Sequence, residues 1–332
     1  MMNAGQFLGA LAPKDHSLGI RARVDRLSAE LATERHADLG TALRSDFSRV
    51  SVAAHDLRTY QARSANLSQA AQWGGTLQVA FDGISSDLDR LVAATPAALT
   101  GAGDPDLTGL GEIGATALTD MMGRLEARLG ERGLFSNGLA EDNPWPDAKT
   151  ILADLSAAAA TAADLTALTA AVEDYFAPTG TYGAAVATLP GDPVNFPFGQ
   201  GQSAQFPVSA GSPEIVDVLR QVALVAVLPS AGFDLDPSAR EDLKTSISGG
   251  LIDGKSGLSR LQGRLGAVEA RVADLAERSD ADRNRQEAAL ADAIAPDPFD
   301  VAIRLQAEMS RLESTYAITA RRSRLNLTSF IR

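Results

Sequence analysis

The two ends of this 332-residue chain carry narrow apolar stripes with the spacing of paired helices, and the middle of the chain does not. In each stripe, apolar residues recur at alternating steps of three and four, which places them on one line along a helix. A line this narrow suits contact with another helix better than burial in a thick globular core. The chain is therefore predicted to pair its own termini, to pair with copies of itself, or to do both.

Two sets of residues follow from this spacing. The terminal seam lies on the helices nearest the chain ends, and consists of Ile20, Val24, Leu27, Leu31, Val301, Leu305, Met309, Leu312 and Tyr316. The inner seam lies on two longer helices further in, and consists of Leu77, Phe81, Ile84, Leu88, Leu258, Leu261, Leu265, Val268, Val272 and Leu275. Between the two sets we expect breaks at residues 33–51 and at Pro296 and Pro298, because proline ends a helix.

The remaining elements are predicted from the same periodicity and from turn residues. Helices are predicted at residues 17–35, 52–91, 106–132, 148–176, 212–228, 237–248, 256–295 and 300–331, with irregular segments at 1–16 and 95–105. A short strand with a turn is predicted at Leu134–Gly138. A hairpin around a glycine-rich turn is predicted at Val194–Val208, with its aromatic residues Phe196, Phe198 and Phe206 on one face.

Composition excludes several kinds of catalytic site. The chain has no cysteine, which rules out disulfides, thiolate nucleophiles and cysteine-ligated metals. The three histidines, His16, His36 and His55, lie about twenty residues apart, a spacing unlike that of metal-ligand pairs on one helix. We interpret them as solvent-facing residues on helices.

Charge is distributed unevenly along the chain. The formal net charge is −12; residues 1–36 carry +1, residues 314–332 carry +4, and residues 37–313 therefore hold −17. An acidic middle argues against nucleic acid or an anionic membrane as the main partner. No apolar run approaches the length of a membrane span, and residues 1–13 lack the pattern of a cleaved signal peptide. Taken alone, these features predict a cytoplasmic protein.

One catalytic motif is matched by its letters. Residues Gly249–Ser256 fit G-x-x-x-x-G-K-[ST], the phosphate-binding loop of nucleotide hydrolases. Such a loop needs a buried strand before it, whereas the preceding residues are amphipathic and charged. We therefore predict a glycine hinge that leads into the long helix with Ser256 as its N-cap, and an ATPase stays the alternative.

Two charged clusters have similar structural readings. Asp234, Asp236 and Glu241 are read as a turn and a helix start rather than as a calcium site, because Pro237 interrupts them and no EF-hand glycine follows. The arginines near the C-terminus, Arg321, Arg322 and Arg324, either contact an acidic partner or complement the end of a helix.

The two ends together resemble the family of flagellins and hook-associated proteins. Leu27–Arg35 is similar to its N-terminal segment, although Glu34 stands where many relatives have glycine. Arg264–Val272 is similar to the Arg, Leu-Gly-Ala-Val, Arg signature of its C-terminal half. Arg311–Leu327 resembles the tail of hook-associated proteins of the hook–filament junction, and Leu134–Gly138 resembles a Leu-Phe-x-Gly turn common in them.

The resemblance implies a mainly α, flagellin-like discontinuous fold, in which long N- and C-terminal helices pair in coiled-coil bundles and the middle region holds a small β-hairpin. It implies three parts: a terminal helical assembly domain of residues 1–40 and 300–332, an inner helical domain of 41–145 and 190–299, and a helical insertion of 146–189. The terminal seam would then serve assembly, and the inner seam would join helices within one chain.

The resemblance also implies a function without enzymatic activity, cofactor or metal. The chain is expected to be a structural adaptor that joins the flagellar hook to the filament, with a small flagellin that forms the filament itself as the alternative. Expected partners are further copies of itself in a ring, the other hook–filament junction protein, flagellin and a type III export chaperone, but neither nucleic acid nor membrane. The expected location is the extracellular flagellum, reached by export without signal-peptide cleavage.

Overall fold

A computed structural model describes residues 4–42, 47–99, 106–199, 201–233 and 236–330. The helices are α1 (Ala4–Thr33), α2 (Leu39–Ala42), α3 (Ser48–Leu99), α4 (Leu107–Leu125), α5 (Ala148–Thr161), α6 (Leu165–Phe176), α7 (Thr181–Val186), α8 (Pro213–Ala231), α9 (Pro237–Ile294) and α10 (Pro298–Phe330). Two antiparallel hairpins join β1 (Arg128–Leu129) to β2 (Arg132–Gly133) and β3 (Val194–Gly199) to β4 (Gln202–Phe206). With 77% of the chain helical, the predicted mainly α class with a small hairpin in the middle is confirmed.

The chain divides into two compact units. Unit 1 comprises residues 1–62 and 279–332, and unit 2 comprises residues 63–278. Both ends of the chain thus belong to unit 1, and the division falls within α3 and α9. The three-part division expected from the resemblance stays a prediction.

Unit 2 is built on the antiparallel pairing of α3 with α9. Gln78 Nε2 donates to Glu269 Oε2 at 3.0 Å, and Gln262 Nε2 donates to Asp82 Oδ1 at 3.1 Å. Further along, Lys255 forms an ion pair with Asp89. Contact positions rise along α3 as they fall along α9, so the two helices run in opposite directions.

The inner-seam residues lie in the core of unit 2. Val268 is partly buried against the core, and the other nine are at most 5% exposed. Because α3 and α9 both turn their apolar lines inward, polar side chains flank the contact and close its edges. The sequence spacing of three and four is therefore the geometry of a buried helix–helix contact.

Helix α8 lies at the centre of the remaining helices of unit 2, in contact with α4, α5 and α6. Its apolar run Val222–Leu228 is buried except for a half-buried Ala226. Glycines let α4 approach closely, because a side chain at Gly114 would place its Cβ atom 2.7 Å from the backbone nitrogen of Ala226. An apolar run of this length is buried on more than one face, and contacts with α4, α5 and α6 cover it.

The hairpin predicted at Val194–Val208 is present, with Phe196 opposite Ala204 and Val194 opposite Phe206. Val194, Phe196, Phe198 and Phe206 are buried on one face, as the alternation predicted. The Phe196 ring packs against Trp73 of α3 at a centroid distance of 5.9 Å. Stacked on this pair, the Arg132 guanidinium lies 5.3 Å from the Trp73 ring.

Several predicted boundaries are wrong. Helix α1 begins at Ala4, so the segment expected to be irregular is helical over most of its length. The expected strand at Leu134–Gly138 is a run of turns, and the strands precede it at residues 128–133. The helix expected over residues 148–176 is two helices, since the Asp164 side chain accepts from the backbone N–H of Ala167 and starts α6 anew. Residues 100–105 of the expected linker lie outside the described residues.

The predicted glycine hinge at residues 249–256 is also wrong, because α9 runs through it without a break. Ser256 is no cap, since its hydroxyl bonds to the carbonyl of Ile252 one turn earlier in the same helix. The glycines serve packing instead: a Cβ atom added at Gly250, Gly254 or Gly257 would meet Gln221, Val218 or Glu214 of α8 respectively. These glycines therefore let α8 lie close against α9.

Two glycines on α4 provide a matched test of close packing in unit 2. We expect Gly114→Ala to lower the free energy of unfolding by about 1–3 kcal/mol, because its Cβ would meet the Ala226 backbone. Gly123→Ala, with no neighbouring atom within 4 Å, should instead raise that free energy by up to about 1 kcal/mol through helix propensity. Urea unfolding of both variants measures the difference. Equal shifts of the same sign would contradict the close α4–α8 contact.

Candidate assembly surface

The two helices nearest the chain ends, α1 and α10, pack against each other within unit 1. Arg23 Nη2 lies 3.2 Å from Glu308 Oε2, and the Arg21 guanidinium lies 5.8 Å from the centre of the Tyr316 ring. The earlier residue of α1 faces the later residue of α10, so the pair is antiparallel. Residues at the start of the chain therefore lie beside residues close to its end.

The terminal seam divides by burial into three groups. Ile20, Leu27 and Val301 are buried; Val24, Leu305 and Leu312 are half-buried; Leu31, Met309 and Tyr316 are 40–48% exposed. The buried and half-buried residues lie where α1 and α10 meet. The exposed residues flank this contact, and their predicted role in assembly stays a prediction.

One glutamate on α1 and one on α10 are nearly buried within unit 1, and tracing apolar residues alone missed them. Glu30 and Glu308 are each only 9% exposed. Glu308 follows Leu305 by three residues and precedes Leu312 by four, which is the spacing of the seam itself. The missed signal was therefore a charged residue at a core position, which needs a partner when it is buried.

Each of these glutamates has a defined partner. Glu308 Oε1 accepts from Arg311 Nη1 at 2.7 Å, while its other oxygen faces Arg23. Glu30 Oε1 accepts from the backbone N–H of Ala37 at 3.0 Å, and so holds the loop that follows α1.

The residue that follows α1, Glu34, has an unusual backbone conformation. The helix ends at Thr33, and Glu34 has a φ of 54° in the left-handed region. Glycine is the usual residue in that conformation after a helix, because it has no Cβ atom to clash. A glutamate therefore occupies a backbone conformation here that glycine usually adopts.

Several large apolar side chains of unit 1 are exposed among the residues that the structure describes. On α1, Leu18 is 61% exposed, and on α10 the exposed residues are Phe299, Ile303 and Ile318, at 65–80%. Exposed large apolar residues that lie along one helix pair mark a surface suited to protein contact. This surface, together with Leu31, Met309 and Tyr316, is the candidate assembly surface.

The nucleotide-binding alternative has no support in the geometry. Residues 249–256 are helical, so their backbone N–H groups are turned along the helix rather than towards a phosphate. Lys255 is paired with Asp89 of α3. The motif therefore matches the letters of a phosphate-binding loop without its strand–loop–helix context.

The acidic cluster near α9 has structural roles where it is described. Asp236 Oδ1 accepts from the backbone N–H of Ala239 at 2.8 Å and caps α9, and Glu241 pairs with Lys244 at 2.5 Å. Asp234 lies outside the described residues. No group of three metal-ligating side chains occurs in the part of the chain that the structure describes.

The histidines and C-terminal arginines are dispersed. His16 and His55 are exposed, and the backbone N–H of His36 donates to the carbonyl of Ile294 at 3.1 Å. Arg321 is exposed on α10, whereas the side chains of Arg322 and Arg324 lie outside the described residues. Among the described helices, none is long and apolar enough to span a membrane.

One carboxylate in unit 2 is fully buried and has a perturbed pKa. Burial raises the pKa of Asp87, while the neighbouring Arg124 and Arg90 act to lower it. Arg124 Nη1 lies 2.5 Å from Asp87 Oδ2 and so ties α4 to α3. Because the Asp87 side chain has no exposed surface, no substrate reaches it, and its role is structural.

The α1–α10 contact can be tested without disturbing unit 2. Both tryptophans, Trp73 and Trp145, lie in unit 2, so their fluorescence reports that unit while circular dichroism reports all helices. Ile20→Asp should destabilise the helix pair by roughly 3 kcal/mol, because it buries a charge in place of an apolar side chain. We expect a loss of helical signal with an unchanged urea midpoint by fluorescence.

Leu18→Asp is the matched control, since Leu18 lies on the same helix but is exposed. It should leave both signals close to those of the unmodified chain. A fluorescence midpoint that falls in Ile20→Asp would contradict the separation of the two units.

No family model matches this chain, and no curated protein matches it. Among solved structures, the chain is similar to the crystal structure of Bacillus cereus FlgL. The two share 15% sequence identity, with a TM-score of 0.47, and the match covers 73% of this chain and 98% of the FlgL chain. At this identity and TM-score the likeness carries no argument of its own, and the proposal that follows rests on the residues of this chain.

Proposed function

We propose that this chain is a structural subunit of the bacterial flagellum, an adaptor between hook and filament without enzymatic activity. The observation that carries the proposal is the folding of both chain ends into one unit with an exposed apolar surface. The same two ends bear the sequence resemblance to flagellins and hook-associated proteins. A surface made from both termini and left partly uncovered is suited to contact with further subunits.

The charge of the two units supports the same assignment. Unit 1 has 16 basic and 15 acidic residues, a net charge of +1, whereas unit 2 has 14 basic and 27 acidic residues, a net charge of −13. Copies of unit 2 repel each other strongly when they are brought close, whereas copies of the nearly neutral unit 1 repel each other far less. Close packing of many copies is therefore favoured through unit 1.

The proposed partners follow from the adaptor role. Further copies of the chain would form a ring through unit 1, which would contact the other junction protein on one side and flagellin on the other. A type III export chaperone would hold the chain before export, and the chain would reach the extracellular flagellum without signal-peptide cleavage. Contact with neighbouring subunits would cover apolar residues such as Ile303 and Met309.

Deletion of the gene tests the role in the cell. We expect hooks without filaments and flagellin released into the medium, measured by electron microscopy of cells and by immunoblot of the supernatant. The unmodified gene should restore filaments, whereas Ile20→Asp should not, because it disrupts the α1–α10 contact. Deleted cells that keep full filaments would overturn the adaptor role.

Whether the purified chain forms filaments by itself distinguishes the adaptor from the small-flagellin alternative. An adaptor is expected to add to hook or filament ends without forming long filaments alone. Electron microscopy of the chain by itself, and then mixed with flagellin, measures this. Long filaments from the pure chain would favour the flagellin alternative.

A further inference from the structure

A groove on the α1–α10 pair is lined by cations and hydroxyl groups. Its volume is about 480 Å³, and its lining residues are His16, Ile20, Arg23, Ser310, Arg311, Ser314 and Thr315. These residues lie near opposite ends of the sequence, at positions 16–23 and 310–315. The antiparallel pairing of α1 with α10 brings them together.

The cations of the groove are only partly neutralised. Arg23 and Arg311 share one carboxylate, that of Glu308. Their side chains are 42% and 67% exposed, so guanidinium N–H groups remain accessible to a second acceptor. His16 adds an exposed imidazole beside them. Two guanidinium groups against one carboxylate, with further donors around them, favour a second carboxylate as ligand.

The last turns of α9, also in unit 1, have the opposite charge. Residues 279–294 contain four acidic and two basic residues, a net charge of −2. Arg283 lies between Asp280 and Glu287, at 3.4 Å and 3.7 Å, and Arg285 pairs with Asp282 at 2.9 Å. That leaves Asp292, which is exposed and forms no ion pair with any residue that the structure describes.

We propose that the groove of one copy receives acidic side chains from α9 of a second copy, with Asp292 in contact with His16 and Arg311. This inference rests on the proposed function, in which copies adjoin through unit 1. The groove is far larger than a single carboxylate, which suits the side chains of a docked helix rather than a small free anion. Each copy carries both the cationic groove and the acidic segment of α9 in unit 1. The same contact can therefore repeat from one copy to the next.

The absence of native cysteine allows a direct test in assembled flagella. In a chain with both Ser314→Cys and Ala295→Cys, which keeps the Asp292 carboxylate about one turn away, a short bis-maleimide should join neighbouring copies into a ladder of multimers. The matched control replaces Ala295→Cys by Ser86→Cys, an exposed position in unit 2, and should stay monomeric. Flagella that contain the double variant without a ladder would overturn the inference and leave the adaptor role intact. A chain that never enters flagella would overturn the adaptor role itself.

Charge substitution gives a second readout that does not depend on cysteine. Ser314→Glu places a carboxylate in the groove of the same chain, and should raise flagellin release roughly tenfold, the effect of losing about 1.4 kcal/mol of contact energy. Adding Asp292→Lys should restore retention, because the exchanged charges attract again. Gln306→Glu, exposed and outside the groove, is the control for charge alone. Equal release from Ser314→Glu and Gln306→Glu, or no restoration by Asp292→Lys, would overturn the inference.

Discussion

The antiparallel contact between α3 and α9 is the interaction on which the rest of unit 2 depends. It joins residues as far apart in sequence as Gln78 and Glu269. The rest of unit 2 is therefore formed by the segment of chain that connects α3 to α9. The buried line of Leu77, Phe81, Leu258 and Leu261 supplies the apolar burial. Around it, α8 fills the centre of a smaller helical group, and the β3–β4 hairpin rests on Trp73.

The glycines of α9 illustrate how context decides the meaning of a motif. Gly250, Gly254 and Gly257 fall on one face of the helix and meet Gln221, Val218 and Glu214 of α8. The same residue type that lets a backbone cradle phosphate also lets two helices approach closely. What separates the two uses is the preceding element, and here that element is the same helix.

Much of the fold could be predicted from period and turn chemistry. The inner-seam positions and the β3–β4 hairpin follow from spacing, because the regularly spaced apolar residues in each are the ones that are buried. The unbroken course of α9 could not be predicted in this way. Gly249 and Gly250 have low helix propensity, but the burial of Ile247 and Leu251 on either side of them keeps the segment helical. Glu308 was missed for the opposite reason: a buried charge becomes acceptable only when distant residues such as Arg23 supply its partner.

The candidate surface was only partly accessible to prediction. Spacing identified which end residues lie on a common helix face, but it could not separate Ile20, which is buried, from Met309, which is exposed. That distinction depends on the register between α1 and α10, two helices that lie near opposite ends of the sequence. The uneven charge was visible in the sequence, yet its division into a nearly neutral unit 1 and an acidic unit 2 required the fold.

The central claim is that copies of this chain associate through unit 1 while unit 2 keeps its own fold. Amide hydrogen exchange, compared between the free chain and the chain in isolated flagella, tests it most directly. The account predicts strong new protection in α1 and α10 and unchanged exchange in α4, α5 and α8. New protection confined to unit 2, with unchanged exchange in both terminal helices, would contradict it.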